Sequence, residues 1–273
     1  MNIIRTLSLS QKQMEDIRSL TSLCCQNDGI ILSCPEDADE FWILYEVNAE
    51  GAMEYPAAFF AVYKTEPDLW ECYAFTRPDR RRRGYFSTLC SSVCEDSREE
   101  GEPDLCFITD NRCGQTLEVL KHMEAEFLYD EYMMALEPGL ADGDADGASV
   151  HGGCPDKCRE LLLSIIPDNG LLTVTAWLNP SDAEDSPTGV PSPAGSCRLS
   201  IRGRDVYLYA LEILPQLRGR GYGACFMDCI ISMLKERGYR GLSLQVSGNN
   251  EPALGLYKKT GFRITETLSY YLY

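Results

Sequence analysis

The sequence has none of the marks of a membrane or exported protein. No apolar run reaches the length of a membrane span, and the opening MNIIRTLSLSQKQ has no apolar core of the kind a signal peptide needs. A cytoplasmic location is therefore expected. Among 13 cysteines there is no CxxC pair, so nothing supports a thiol–disulfide redox site, and free thiols are expected. Positive charge is scarce. The chain has 25 Lys and Arg against 42 Asp and Glu, a formal net charge of −17. That balance argues against non-specific binding of nucleic acid and leaves neutral or cationic partners. His151-x-x-Cys154-x-x-x-Cys158 is the one metal-like cluster, and it has no second cysteine or histidine pair nearby to close a tetrahedral site. A helix starting at Pro155 accounts for it, and no metal is expected. Cys90/Cys94 and Cys225/Cys229 each lie four apart on predicted helices, which puts each pair on one helix face.

At 273 residues the chain has room for one large domain or two ordinary ones. Its most informative stretch runs from Asp205 to Gly238. Asp205–Leu214 alternates and carries Val206, Tyr207, Leu208 and Tyr209, so it reads as a strand that Pro215 stops. Arg218-Gly219-Arg220-Gly221-Tyr222-Gly223 follows, a turn with three alternate glycines. Phe226, Met227, Ile230, Ile231 and Leu234 then recur at helical spacing up to Gly238. A helix N-terminus has unpartnered N–H groups and a partial positive charge, so a glycine-opened one cradles anions such as pyrophosphate. The turn is neither GxxxxGK[ST] nor GxGxxG with a trailing acidic residue.

Leu214-Pro-Gln-Leu-Arg-Gly-Arg-Gly-Tyr-Gly223 resembles the acyl-CoA signature of the GNAT superfamily of N-acetyltransferases, (R/Q)-x-x-G-x-(G/A), with Arg218, Gly221 and Gly223 in its fixed positions. A second block is similar to that family's N-x-x-A…LYxxxGF. Asn250-Glu-Pro-Ala253 opens a helix, and Leu256-Tyr257-Lys-Lys-Thr-Gly-Phe262 closes it. The likeness is close over Asp205–Tyr273 and looser elsewhere.

The first half repeats the order of the second. Asn2–Leu7 reads as a strand and Gln11–Cys25 as a helix capped by Ser10, with a turn at Asn27-Asp28-Gly29. Strands follow at Phe41–Asn48, Ala57–Tyr63 and Leu69–Thr76. Then come Arg77-Pro78-Asp79-Arg80-Arg81-Arg82-Arg83-Gly84-Tyr85-Phe86, a helix to about Arg98, a strand at Leu105–Thr109, a helix at Thr116–Met123 and a strand at Phe127–Leu136. Arg81 precedes Arg218 by 137 residues, and Phe127 precedes Phe262 by 135. In the first copy Phe86 stands for Gly223 and Leu120 for Tyr257, so under the resemblance it has lost its acid and part of its cradle. Its arginines either hold a phosphate or form a solvated basic face, and RNA is the less favoured third option.

The expectation is an α+β protein of two tandem GNAT-like domains, each a mixed, mostly antiparallel sheet flanked by helices. Residues 1–137 form the first domain, 138–154 a flexible glycine- and aspartate-rich linker, and 155–273 the second. Within the second, a helix is expected at Asp156–Ile166, a strand at Leu171–Leu178, a loop at Asn179–Ser196 and a hairpin of Cys197–Ile201 with Asp205–Leu214 through Gly203. That domain lacks an obvious first strand and second helix, elements that shape the acceptor side in the resembling family.

The resemblance implies acetyl-CoA as acyl donor and direct transfer of its acetyl group to a primary amine on a small molecule or peptide. From the acidic balance and the lack of a membrane-length run, no nucleic-acid or membrane partner is expected. Leu211, Ile213 and Leu214 are then the strand that pairs with pantetheine, and Arg218, Gly219, Arg220, Gly221, Tyr222 and Gly223 the pyrophosphate turn. Asn250 contacts the cofactor arm or simply caps its helix. Tyr257 is the acid for the leaving thiolate, or else a packing tyrosine. Tyr207 and Tyr209 line the acceptor, or pack. Glu212 is either a base or a buried ion-pair partner, and by period-two alternation it faces away from Tyr207 and Tyr209. A non-catalytic acyl-CoA-binding protein is the rival reading, and a homodimer is among the assemblies open to the chain.

Overall fold

The computed structural model describes residues 2–33, 35–47, 53–136, 161–179 and 190–273. The metal-like cluster at 151–158, the expected linker and most of the expected 179–196 loop fall outside them. The chain divides into two compact units, Met1–Asp130 with Thr267–Tyr273, and Glu131–Glu266.

In unit 1, β1 (Asn2–Thr6), β2 (Glu40–Val47), β3 (Met53–Glu66) and β4 (Leu69–Thr76) are joined by antiparallel ladders, and β5 (Asp104–Asp110) pairs parallel to β4. Alternation along these strands gives the sheet two apolar faces, and a helix covers each. α1 (Gln11–Asp28) sets Ile17, Leu20 and Cys24 on Phe41, Ile43, Phe59, Ala61 and Phe75. α2 (Tyr85–Ser97) sets Leu89, Cys90 and Val93 on Trp42, Leu44, Phe60 and Val62. Ser10 and Gln13 form a reciprocal capping box at the start of α1, and left-handed Gly29 ends it, so Asn27 and Asp28 belong to the helix rather than to a turn. α3 (Gly114–His122) follows β5.

Unit 2 repeats the plan with one face covered. β7 (Leu161–Asp168), β8 (Leu171–Leu178), β9 (Ser192–Arg202) and β10 (Asp205–Ile213) are antiparallel, and β11 (Gly241–Ser247) pairs parallel to β10. α4 (Tyr222–Glu236) and α5 (Glu251–Lys259) join one core with Val206, Leu208, Leu242, Leu244 and Val246. Among the described residues no helix covers the opposite face, which carries Tyr207 and Tyr209.

Residues expected as a helix at Asp156–Ile166 are, from Leu161 on, strand β7. A short apolar run does not distinguish the two states. The next residues do: Asn169 and Gly170 have φ of 44° and 84°, the pair of positive values a type I′ hairpin turn needs, and Asn-Gly is its sequence signature. Ser192–Ser196, expected in a loop, extends β9.

The units also exchange strands. β6 (Glu126–Leu136) contributes Glu131–Ala135 to unit 2, antiparallel to β11, with Glu131 opposite Ser247. β12 (Phe262–Leu272) contributes Leu268–Leu272 to unit 1, antiparallel to β5, with Leu268 opposite Asp110. Each segment takes the place in one copy that the repeat gives its counterpart in the other.

Candidate active site

β10 and its turn are built around one irregularity. Tyr209 pairs with Arg198 of β9 and Glu212 with Ser196, so β10 carries one residue more than its partner between these points. Ala210, at φ 53°, takes the left-handed conformation that the bulge requires. The pairing of β10 with β11 ends at Leu208 and Leu244. Ala210 and Leu211 are therefore outside both ladders, and Tyr209–Ile213 leaves β11 to one side. Gly195 makes the close approach of β9 possible, since a Cβ there would lie 2.4 Å from the Glu212 carbonyl oxygen.

The bulge also resets the alternation. Cross-strand partners share a face, and Ser196, Arg198 and Ser200 pair with Glu212, Tyr209 and Tyr207. Glu212 therefore stands on the face of Tyr207 and Tyr209, not opposite them as simple alternation implied. Setting one copy against the other shows the same insertion, in β10 alone. Leu69 pairs with Asp104 where Asp205 pairs with Gly241, while Thr76 pairs with Ala58 where Ile213 pairs with Gly195. The repeat offset is 136 residues before the bulge and 137 after it, and β4 runs without a bulge there.

After Leu214, whose N–H donates to the Ala194 carbonyl at 3.0 Å, Pro215–Leu217 form a 3-10 turn. Arg218 folds back and its Nε donates to the Ile213 carbonyl at 2.8 Å. Its Nη2 lies 3.5 Å from Glu212, with both side chains more than half exposed, so Glu212 is paired but not buried. Gly219 and Gly221 have φ of 71° and 91°. Gly221 is the N-cap of α4, and no side chain caps that helix, leaving its first N–H groups turned outward beside Arg218 and exposed Arg220. Tyr222 packs on the core. A Cβ on Gly223 would lie 3.3 Å from Leu256, so this glycine lets α5 approach the turn.

α5 brings two further expected residues. Asn250 is its N-cap and accepts from Ala253 N–H at 3.2 Å, so the capping role is realised. Tyr257 is buried against Phe262, their ring centroids 5.8 Å apart. Burial, helped by nearby Cys197, pushes its hydroxyl pKa up to about 12, so it keeps its proton at neutral pH. On the open face, Tyr207 and Tyr209 stack with centroids 6.3 Å apart, and the Tyr207 hydroxyl donates to Gln245 Oε1 at 3.3 Å.

The first copy has the same turn, with three of its five arginines paired to carboxylates. Gly84 caps α2 at φ 81°, as Gly221 caps α4. Arg81 Nε donates to the Thr76 carbonyl at 3.1 Å, as Arg218 does to Ile213. Its Nη1 and Nη2 each lie 2.7 Å from an oxygen of Asp28, the last residue of α1, and Nη1 also reaches Gln115 at 2.8 Å. Arg80 pairs with Glu46 at 2.7 Å and with Asp79, and Arg77 pairs with Asp79. Arg81 holds the Asp28 carboxyl below its ordinary range, while Tyr85 and Arg80 lower Glu46 to about 2. Phe86 turns inward onto Phe107, and Leu120 holds the place of Tyr257 within the core.

Sequence reasoning missed Gly195, Asp28 and the bulge. The bulge leaves one trace in the sequence, the one-residue change of repeat offset. Among the described residues no group of His, Cys, Asp and Glu could hold a metal ion, and no helix is long and apolar enough to cross a membrane.

Residues 165–262 match the model of the acetyltransferase (GNAT) family. Mycothiol acetyltransferase of Clavibacter sepedonicus is 31% identical over 88 residues, 32% of this chain and 29% of that protein. A putative [ribosomal protein bS18]-alanine N-acetyltransferase of Bacillus subtilis is 37% identical over 70 residues, 26% of this chain and 46% of that protein. The chain thus spans less than half the length of these two curated relatives. A tandem GNAT protein from the clavulanic acid biosynthesis pathway has a TM-score of 0.63 at 13% identity, over 100% of this chain and 98% of that one. The chain has the GNAT fold, and its residues 165–262 carry the match to the GNAT acetyltransferase family.

Proposed function

We propose that unit 2 is an acetyl-CoA-dependent N-acetyltransferase that moves an acetyl group to a primary amine. The observation that carries this reading is the Ala210–Leu211 peptide outside both ladders, directly ahead of an uncapped, glycine-opened helix N-terminus. The main chain of Leu211, Ile213 and Leu214 offers a strand edge to the pantetheine arm, in the manner of an added strand. The first-turn N–H groups of α4, with Arg218, Gly219, Arg220 and Gly221, offer donors and charge to the pyrophosphate. Acetyl-CoA bound there supplies its acetyl group as an activated thioester. Tyr257, kept protonated by burial, donates to the departing sulfur. The face of Tyr207, Tyr209 and Glu212 receives the amine, and a carboxylate on it takes the proton that the amine must lose before attack. Unit 1 is a degenerate copy: Arg80 and Arg81 are paired with its own carboxylates and Leu120 offers no acid. Free thiols throughout the described residues suit the cytoplasm.

Calorimetric titration with acetyl-CoA, followed by thiol release with and without primary amines, tests the proposal. One site per chain and amine-stimulated thiol release are expected. A folded sample that binds no acetyl-CoA overturns it, and binding without transfer leaves a non-catalytic acyl-CoA-binding protein.

A further inference from the structure

The strand exchange places a residue of the first half in the second unit's site. β6 pairs with β11 so that Ala135, Met133 and Glu131 stand opposite Ser243, Gln245 and Ser247. Ser243 in turn pairs with Tyr207. Partners across a ladder share a face, so Glu131 lies on the face of Tyr207, Gln245, Tyr209 and Glu212. The opposite face is accounted for, since Met134, Leu136, Leu244 and Val246 are buried in the unit 2 core. Glu131 is also at the correct end of the strands. Ser247 is the last residue of β11, beyond Leu244, where β10 and β11 have parted and where α5 with Tyr257 begins its approach. Glu131 is half-buried and close enough to Tyr207 to act on its hydroxyl electrostatically. Glu212, the other carboxylate of this face, is largely exposed and engaged with Arg218 at the turn.

Unit 1 differs at this position. There the equivalent of Glu131 is Leu268, opposite Asp110, and the equivalent of Gln245 is Ile108. Both join an apolar cluster with Tyr73 and Tyr270. A carboxylate therefore stands for a half-buried leucine in the copy whose face no helix covers among the described residues.

We propose that Glu131 is the acceptor-side carboxylate of the second unit's site, holding the ammonium of a cationic primary amine between itself and the Tyr207/Tyr209 pair and taking its proton. This rests on the acetyltransferase reading above. Two protons leave the ammonium nitrogen. The first passes to Glu131 and on to water, which frees the lone pair. The nitrogen then bonds to the acyl carbon as the carbon–sulfur bond breaks. Tyr257 protonates the sulfur and recovers a proton from the nitrogen. The products are an N-acetylated amine, a free thiol and one proton released.

The test uses the full chain and a panel of spermidine, L-lysine ethyl ester, tyramine, D-glucosamine and an alanine-initiated peptide. Glu131→Gln, Glu131→Asp and Glu212→Gln are compared with wild type for acetyl-CoA affinity, melting temperature and amine-dependent thiol release. At least one amine is expected to be accepted. Glu131→Gln should lower kcat/KM for it by about 100-fold or more, Glu131→Asp should recover part of the loss, and acetyl-CoA affinity should stay within about twofold in both. Near wild-type transfer by Glu131→Gln, or an equal loss in Glu131→Asp together with a collapsed melting temperature, overturns the assignment. A wild type that binds no acetyl-CoA, or that binds it yet accepts no amine of the panel, would instead fell the underlying acetyltransferase reading and this assignment with it.

Discussion

Arg81 and Arg218 occupy the same place in two copies of one turn, and each donates Nε to the carbonyl that ends the preceding strand. Beyond that they differ. Arg81 is held by Asp28 through two contacts at 2.7 Å, while Arg218 stands exposed with Glu212 at 3.5 Å. Asp28 ends α1, and α1 also covers the sheet face that in unit 2 carries Tyr207 and Tyr209. One helix thus does two things to unit 1: it covers that face and pairs Arg81. Where the described residues of unit 2 have no such helix, the face is open and the arginine is turned to solvent. The two copies differ less in the turn itself than in what the described residues pack behind it.

The largest effect is expected from spoiling each helix cap in turn. Gly221→Glu puts a side chain at a φ of 91° and a negative charge at the cradle, so acetyl-CoA affinity should fall by about 100-fold or more in calorimetry. Gly84→Glu, in the other copy, should leave that affinity unchanged. An equal loss from both would show that unit 1 still binds.

Tyr257→Phe should lower the transfer rate by about 100-fold while sparing acetyl-CoA affinity. Because burial raises this hydroxyl to about 12, wild-type turnover should show no loss of the acid form between neutral pH and about pH 10. Leu120→Tyr in unit 1 should add no activity, since β4 lacks the bulge.

Asp28→Asn tests the neutralising pair. It should cost about 1.5–3 kcal/mol in unfolding free energy, the range for a hydrogen bond to a charged group. Arg81 lowers the pKa of Asp28 in the folded state, so its contribution is full above the ordinary aspartate value of about 4 and disappears as pH falls through the folded value. The gap between wild type and variant in chemical unfolding should therefore narrow below about pH 4. A gap that widens on acidification would contradict the pairing.

The smallest effects carry opposite signs. Ala210→Gly relieves a left-handed alanine and should stabilise by up to about 1 kcal/mol, whereas Ala74→Gly, in the unbulged β4, should destabilise by about 0.5–1 kcal/mol. Equal signs in thermal melting would mean that the two strands do not differ as described.

Much of this was legible in the residues. Arg218, Gly221, Gly223 and Tyr257 read as one turn and one helix because their cues are local: glycine, proline and a 3.6-residue apolar period. The face of Glu212 was not legible, since an inserted residue reverses the alternation without changing composition. The role of β6 was hidden for a different reason. Glu126–Leu136 looks the same as a strand whichever neighbour it finds, and its partner β11 lies more than a hundred residues further on. Strand propensity is local, but pairing is not. Leu161–Ile166 shows the remaining limit, an apolar run whose state was decided by the Asn169-Gly170 turn beside it.

The exchanged strands bear on how the chain is made. Synthesis is directional, and β5 is made about 160 residues before Leu268–Leu272, the segment that finally borders it. At about 5–20 residues per second, the edge of β5 waits on the order of ten seconds or more on the ribosome. During that wait Glu131–Leu136, the repeat counterpart of the missing segment, is the nearest strand able to take the vacant edge. A β6 that took that edge would have to leave it for β11 before Leu268–Leu272 could pair there. The exchange of strands is thus also a matter of timing: neither unit is closed by its own half of the chain.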